Sequence, residues 1–127
     1  MSAFCTKLIL EDDGGFPMAL VTPFVYASDR LHRLILVPAG FRTDLASIPR
    51  VLWNVLPPVS KADHAAVIHD FLYQTGGVTR ADADAVLNEA MEVAGVARVQ
   101  RWLIYAGVRV GGWKVWNAYR AAAPAVA

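Results

Sequence analysis

Residues 60–95 read SKADHAAVIHDFLYQTGGVTRADADAVLNEAMEVAG, and the punctuation of this stretch decides the fold. Ser60-Lys61-Ala62-Asp63 is a capping start, a hydroxyl followed three residues later by a carboxylate, and Gly76-Gly77 stops the helix after Gln74. Thr79-Arg80-Ala81-Asp82 repeats the start signal, and Gly95 ends a second helix. In that second helix Ala83, Val86, Leu87, Ala90, Met91 and Ala94 fall at three-four spacing, the stripe of a helix with one face on a core. A third helix is expected over Ala97–Ala121, with Gly107 and Gly111 four apart on one face, a spacing that permits close helix contact. Residues 122–127 complete the chain as a tail.

Upstream the pattern changes to strands. Thr6–Leu10 precedes a turn at Asp12-Asp13-Gly14-Gly15; Ala19–Thr22 and Phe24–Tyr26 follow, joined through Pro23, which suits an edge or a bulge. Ala27-Ser28-Asp29-Arg30 is the turn of a hairpin into Arg33–Val37, and Pro38-Ala39-Gly40 ends that strand. Residues 41–59, with Pro49, Pro57 and Pro58, form an ordered loop of the kind that lies over a core and carries function. The fold class is therefore α+β, in a single domain. A small N-terminal antiparallel β-meander spans 1–40, a long ordered loop 41–59, and three C-terminal helices packed on the sheet occupy 60–121.

The bulk numbers narrow the function classes. The chain has 127 residues, 56% hydrophobic and 18% charged, with a net charge of +1, which gives no electrostatic case for nucleic acid. The apolar excess points to a partner interface. The single Cys5 excludes an internal disulfide framework and a cysteine-built zinc site. Met1–Leu10 does not have the form of a signal peptide, and charges interrupt every apolar run before the roughly 18 residues of a membrane span.

The first helix carries the densest chemistry. His69 and Tyr73, four apart, point the same way, while Asp70 sits about 100° round the axis. An imidazole, a carboxylate and a phenol in otherwise apolar surroundings are costly to bury without partners or purpose. Neutral His69 suits a general base near neutral pH, and a base needs a carboxylate to fix its tautomer. Asp82 and Asp84, at the start of the next helix, are the available braces. Asp70, facing differently, suits a hard cation. The structural alternative is that His69 and Asp70 tie the 41–59 segment to the helix.

A second cluster, Phe41-Arg42-Thr43-Asp44-Leu45-Ala46-Ser47-Ile48-Pro49-Arg50, offers Asp44 as the cap of a short turn over 47–53 or as a further carboxylate beside His69. Ser47 lacks the glycine elbow of a nucleophile. His64 lies five residues before His69, so the two do not share a face as zinc ligands would, and His32 falls in a strand as a surface residue. Trp102, Tyr105, Trp113, Trp116 and Tyr119 suit core or interface packing at helical spacing better than a stacking platform.

Two resemblances follow from these motifs. Ala65-Ala66-x-x-His69-Asp70-x-x-Tyr73 with Ala81-Asp82 resembles the active-site helices of phospholipase A2 enzymes, including the short forms of parvovirus capsids. That likeness implies His69 as the activator of water, Asp70 as a Ca2+ ligand, and Tyr73 with Asp82 or Asp84 as braces. It extends only over these residues, and no glycine-rich calcium loop is recognisable upstream. The longer pattern resembles a small phage and prophage family known as a domain of unknown function and encoded among tail and lysis genes. It comprises Gly40-Phe41-x-Thr43-Asp44-x-Ala46-Ser47-Ile48-Pro49-Arg50, the same His-Asp-Tyr helix, Arg80-x-Asp82, Ala90-Met91, Arg101, Tyr105 and Arg109.

Together these imply a phage- or prophage-encoded virion-associated protein of the tail or tail tip, carrying a His-Asp hydrolase-like site built from His69, Tyr73, Asp44 and Asp82. Its expected partners are other phage structural proteins or further copies of itself. Its expected locations are the host cytoplasm during synthesis and the virion. The rival readings are a free metal-assisted hydrolase of lipid or cell-wall substrate acting in entry or lysis, and a purely structural assembly module.

Overall fold

The computed structural model describes residues 2–11, 18–43 and 61–122. Among these residues six short strands precede four helices: β1 (Ala3–Phe4), β2 (Leu10–Glu11), β3 (Met18–Leu20), β4 (Phe24–Ser28), β5 (Arg33–Val37), β6 (Arg42–Thr43), α1 (Lys61–Thr75), α2 (Arg80–Val93), α3 (Arg98–Gly111) and α4 (Trp113–Ala122). The architecture is α+β. The expected 41–59 loop falls, from residue 44 onward, outside the described residues, as does Ser60.

The strands form two three-stranded antiparallel sheets, β1-β4-β5 and β2-β3-β6, where a single meander was expected. Side chains explain the division. Val25 donates its backbone N–H to Thr6 Oγ1 at 3.0 Å, so a hydroxyl replaces the backbone partner that would have continued the β1 ladder. The chain leaves the first sheet there, and the expected Thr6–Leu10 strand reduces to β2. Pro23, which has no N–H to give a ladder, stands where the chain passes from β3 back to β4. Phe24 pairs with Val37 and Tyr26 with Ile35, which turns all four toward the helices and leaves Leu34 and Leu36 outward.

Helices α1 and α2 lie on the inner face of the β1-β4-β5 sheet; α3 packs on α2, and α4 on α1. Ala65, Ala66, Val67, Ile68 and Leu72 of α1 are all buried, so the helix is covered nearly all round, as its lack of a polar face requires. Val67, Ile68 and Leu72 each add roughly 1.5–3 kcal/mol by leaving water. Helix α2 has the expected stripe, with Ala83, Val86, Leu87, Ala90 and Met91 fully buried. Thr79 Oγ1 accepts from the Asp82 N–H at its start. Its end is a left-handed glycine turn: Gly95 has φ +85°, Gly95 N–H reaches Glu92 O and Val96 N–H reaches Met91 O. Glu89 fastens this helix to the sheet by accepting from Tyr26 Oη at 2.7 Å, Ser28 Oγ at 2.9 Å and the Arg30 N–H at 2.8 Å. Burial and the Glu89 carboxylate together push the Tyr26 phenol well above its ordinary pKa.

The expected third helix is two helices, divided at Gly112. The glycine has ordinary helical φ and ψ, so backbone freedom does not explain the break. Space does: a Cβ there would stand 2.5 Å from Tyr73 Oη, and only the missing side chain lets the α3–α4 corner close on α1. Arg120 of α4 then donates to the carbonyls of Tyr73 at 2.7 Å and Gln74 at 2.8 Å, satisfying the last turn of α1. Its guanidinium also stacks over Trp116, 4.5 Å from the ring centre.

Candidate active site

The polar residues of α1 and α2 meet at Asp84. Its Oδ1 lies 2.7 Å from His69 Nε2 and accepts from Tyr73 Oη at 2.6 Å. Its Oδ2 accepts from Arg109 Nη1 at 2.8 Å and, more loosely, from Arg80 Nη1 at 3.4 Å. His69, Tyr73 and Asp84 are each fully buried. The i,i+4 spacing of α1 brings the two rings together, tilted by 44° with centroids 4.3 Å apart, so that both reach the same oxygen. Arg80 is anchored in turn by the carbonyls of Val108 and Arg109 at the end of α3.

Electrostatics fix the protonation pattern. Burial alone would raise the Asp84 carboxyl, but the hydrogen bond and attraction of His69, with the donors of Tyr73 and Arg109, outweigh it and hold the carboxyl below its ordinary value. An ionised carboxylate only accepts, so the proton between the two groups belongs on Nε2 of His69. Burial and the Asp84 carboxylate together raise the Tyr73 phenol, which stays a neutral donor, and the same carboxylate raises Arg109.

The remaining expected site residues fall elsewhere. Asp82 does not brace His69: it lies two residues, about 200° of helix, from Asp84 and pairs with Arg30 at 3.1 Å on the surface. The bracing position belongs to Asp84, the other carboxylate at that helix start. The sequence held the signal for this choice, because Asp84 interrupts the stripe of Ala83, Val86, Leu87 and Ala90, and a polar residue in an apolar phase needs a partner. Arg80 stands four residues before Asp84 on α2, a spacing at which side chains meet, whereas Arg109 had no local signal and arrives from α3 through tertiary packing alone. Asp44 lies outside the described residues.

Asp70 is buried on the adjacent face of α1, where Oδ2 accepts from Thr43 Oγ1 of β6 at 2.7 Å. Calcium requires about six to eight oxygens, and Oδ2 is already engaged. No group of three or more His, Cys, Asp or Glu among the described residues is placed to hold a metal. The described residues alone do not assemble the oxygen set that Ca2+ requires.

His64 lies apart from the cluster, edge-on to Phe4 and Phe24 with centroids 5.3 and 5.7 Å away. His32 is in the β4–β5 turn with a left-handed φ of 53°, not in a strand. Trp116 packs edge-on against Tyr73 at 5.1 Å, and Tyr119 joins the core margin, whereas Trp102 and Trp113 face outward. Among the described residues no helix is long and apolar enough to cross a membrane.

No curated protein and no solved structure matches the chain. A family model described as Protein of unknown function (DUF1353) matches residues 18–108, a span that holds His69, Tyr73, Arg80 and Asp84 and stops one residue short of Arg109. On that match, which takes in well over half of its length, the chain belongs to the DUF1353 family.

Proposed function

We propose that this is a phage- or prophage-encoded, virion-associated protein of the tail or tail tip that carries a hydrolase-type His69–Asp84 dyad. The phage assignment rests on the resemblance of the Gly40–Arg50 and Ala65–Tyr73 motifs to a phage and prophage family. The reading of the site rests on one observation: Nε2 of His69 and Oη of Tyr73 converge on a single oxygen of Asp84, at 2.7 and 2.6 Å. This is the arrangement that the phospholipase A2 likeness implies, with Asp84 as the distant carboxylate. Held in this tautomer, Nδ1 takes a proton from water as the water oxygen attacks an ester carbonyl, and returns it to the departing alkoxide. An ester of a membrane lipid is the substrate class that this likeness favours.

The complete burial of the dyad supports a second reading, in which the cluster only ties α1, α2 and α3 together inside an assembly module. His69→Asn separates the two. Under the catalytic reading, wild type hydrolyses phospholipid vesicles, and His69→Asn loses that activity with little change in melting temperature, since Asn retains a donor toward Asp84. An inactive wild type, with His69→Asn destabilised by about 1–3 kcal/mol, overturns the catalytic reading in favour of the structural one. Mass spectrometry of purified particles tests the virion assignment, which fails if the chain is absent from them.

A further inference from the structure

Between the solvent-facing sides of α2 and α3 runs a groove that shares no residue with the His69–Asp84 dyad. Two adjoining cavities of about 280 and 480 Å³ make it up, both bordered by Asn88, Glu92 and Tyr105. Small-ligand sites occupy about 300–1,000 Å³. Residues 88 and 92 stand one turn apart on α2, and 98, 101, 102 and 105 follow the same spacing on α3. The polar residues therefore line one trough with an aromatic wall.

The lining has a specific chemistry. Trp102 is 66% exposed and presents its indole to the groove margin, beside Tyr105. Glu92 and Arg101 pair at 3.1 Å, setting a carboxylate next to a guanidinium, and Arg30 is matched by Asp82. Arg30, Glu92 and Arg101 are thus paired and Glu89 is engaged by Tyr26, Ser28 and the Arg30 N–H, which with Arg98 at the margin leaves the trough without the charge excess that a strongly ionic ligand would need. Among the described residues the side chains of Asn88, Trp102 and Tyr105 make no hydrogen bond, so an amide, an indole N–H and a phenol stand ready for a ligand. A ligand that meets these groups has one apolar face for the aromatic rings and a rim of hydroxyls for the Asn, Glu and Arg side chains.

We propose that the α2–α3 groove binds a saccharide, with a sugar ring against Trp102 and its hydroxyls bonded to Asn88, Glu92 and Arg101. The inference is independent of the dyad and of any reaction there.

Nuclear magnetic resonance titration of the full chain with chitotriose and with maltotriose tests it. At least one sugar shifts the Asn88 side-chain amide, the Trp102 indole N–H and the Glu92 and Arg101 backbone signals, with a Kd of about 1 mM. Trp102→Ala and Asn88→Ala each weaken that binding by about tenfold or more, whereas Trp113→Ala, outside the groove, leaves it unchanged. Both substitutions lie on the surface, so the melting temperature stays near wild type. The proposal is overturned if neither sugar shifts these signals, or if binding survives undiminished in Trp102→Ala.

Discussion

Helices α1 and α3 depart from the amphipathic norm in opposite directions. Helix α1 takes an imidazole, a carboxylate and a phenol into the interior, with His69, Asp70 and Tyr73 fully buried. Helix α3 turns Val99, Trp102, Leu103 and Val110 to solvent, and Trp113 at the start of α4 continues the same stripe. On α1 the buried His69 and Tyr73 share one oxygen of Asp84, and Asp70 takes the Thr43 hydroxyl on its second oxygen. On α3 only Ile104 and Val108 are fully buried, so its outer face is unconstrained by the fold and remains available for contact. Interior polarity and exterior apolarity are both unfavourable for an isolated chain.

The contrast breaks most visibly at Asp84. Asp84→Ala takes the shared acceptor from the buried His69 Nε2 and Tyr73 hydroxyl and the ion pair from half-buried Arg109, and urea denaturation should show a loss of about 3–5 kcal/mol. A loss below about 1 kcal/mol would mean that water enters the cluster freely and that α1 is not sealed.

Acid sharpens the same point. The Asp84 carboxyl titrates below its unfolded value of 3.8, so its contribution is complete above that pH and disappears as pH falls through the lower folded value. The stability gap between wild type and Asp84→Asn should therefore be constant above about pH 5 and shrink below pH 3.8. A gap that widened on acidification would reverse the sign assigned to this group.

A smaller effect comes from the corner that joins the two helices. Gly112→Ala introduces a Cβ against both Tyr73 Oη and the Val108 carbonyl oxygen, and should cost about 1–3 kcal/mol through their displacement. A neutral result would show that Tyr73 can yield, contrary to its tie to Asp84.

The smallest effect on stability is expected on the outer face of α3, where Val110→Ser should shift it by no more than about 0.5 kcal/mol. The same substitution should reduce any self-association seen by sedimentation, because it removes apolar surface from the stripe. A large loss of stability would place Val110 in the core and end the contrast.

Local signals in the chain carried the α1–α2 half of the fold and little of the rest. Thr79, Gly76 and Gly95 act within a few residues of themselves, so the limits of α2 and the end of α1 were legible before any packing was known. The division at Gly112 was not, because its cause is Tyr73, distant in sequence, and not the glycine's own conformation. The two small sheets were obscured for a similar reason: Thr6 Oγ1 takes a bond that strand pattern assigns to backbone. Of the site, His69 and Tyr73 were legible from their spacing. The choice of Asp84 over Asp82 required the phase of the α2 stripe, and Arg109 required the tertiary structure.

Whether Asp84 sets the tautomer of His69 is decided by which ring nitrogen carries the proton when the ring is neutral. Long-range proton–nitrogen correlation spectra of the imidazole, recorded at a pH where His69 is neutral, read this directly. Asp84, as an ionised acceptor 2.7 Å from Nε2, should hold the proton on Nε2 and leave Nδ1 as the basic nitrogen. A proton on Nδ1, or a rapidly exchanging mixture of the two tautomers, would contradict the claim that Asp84 prepares His69 for base chemistry.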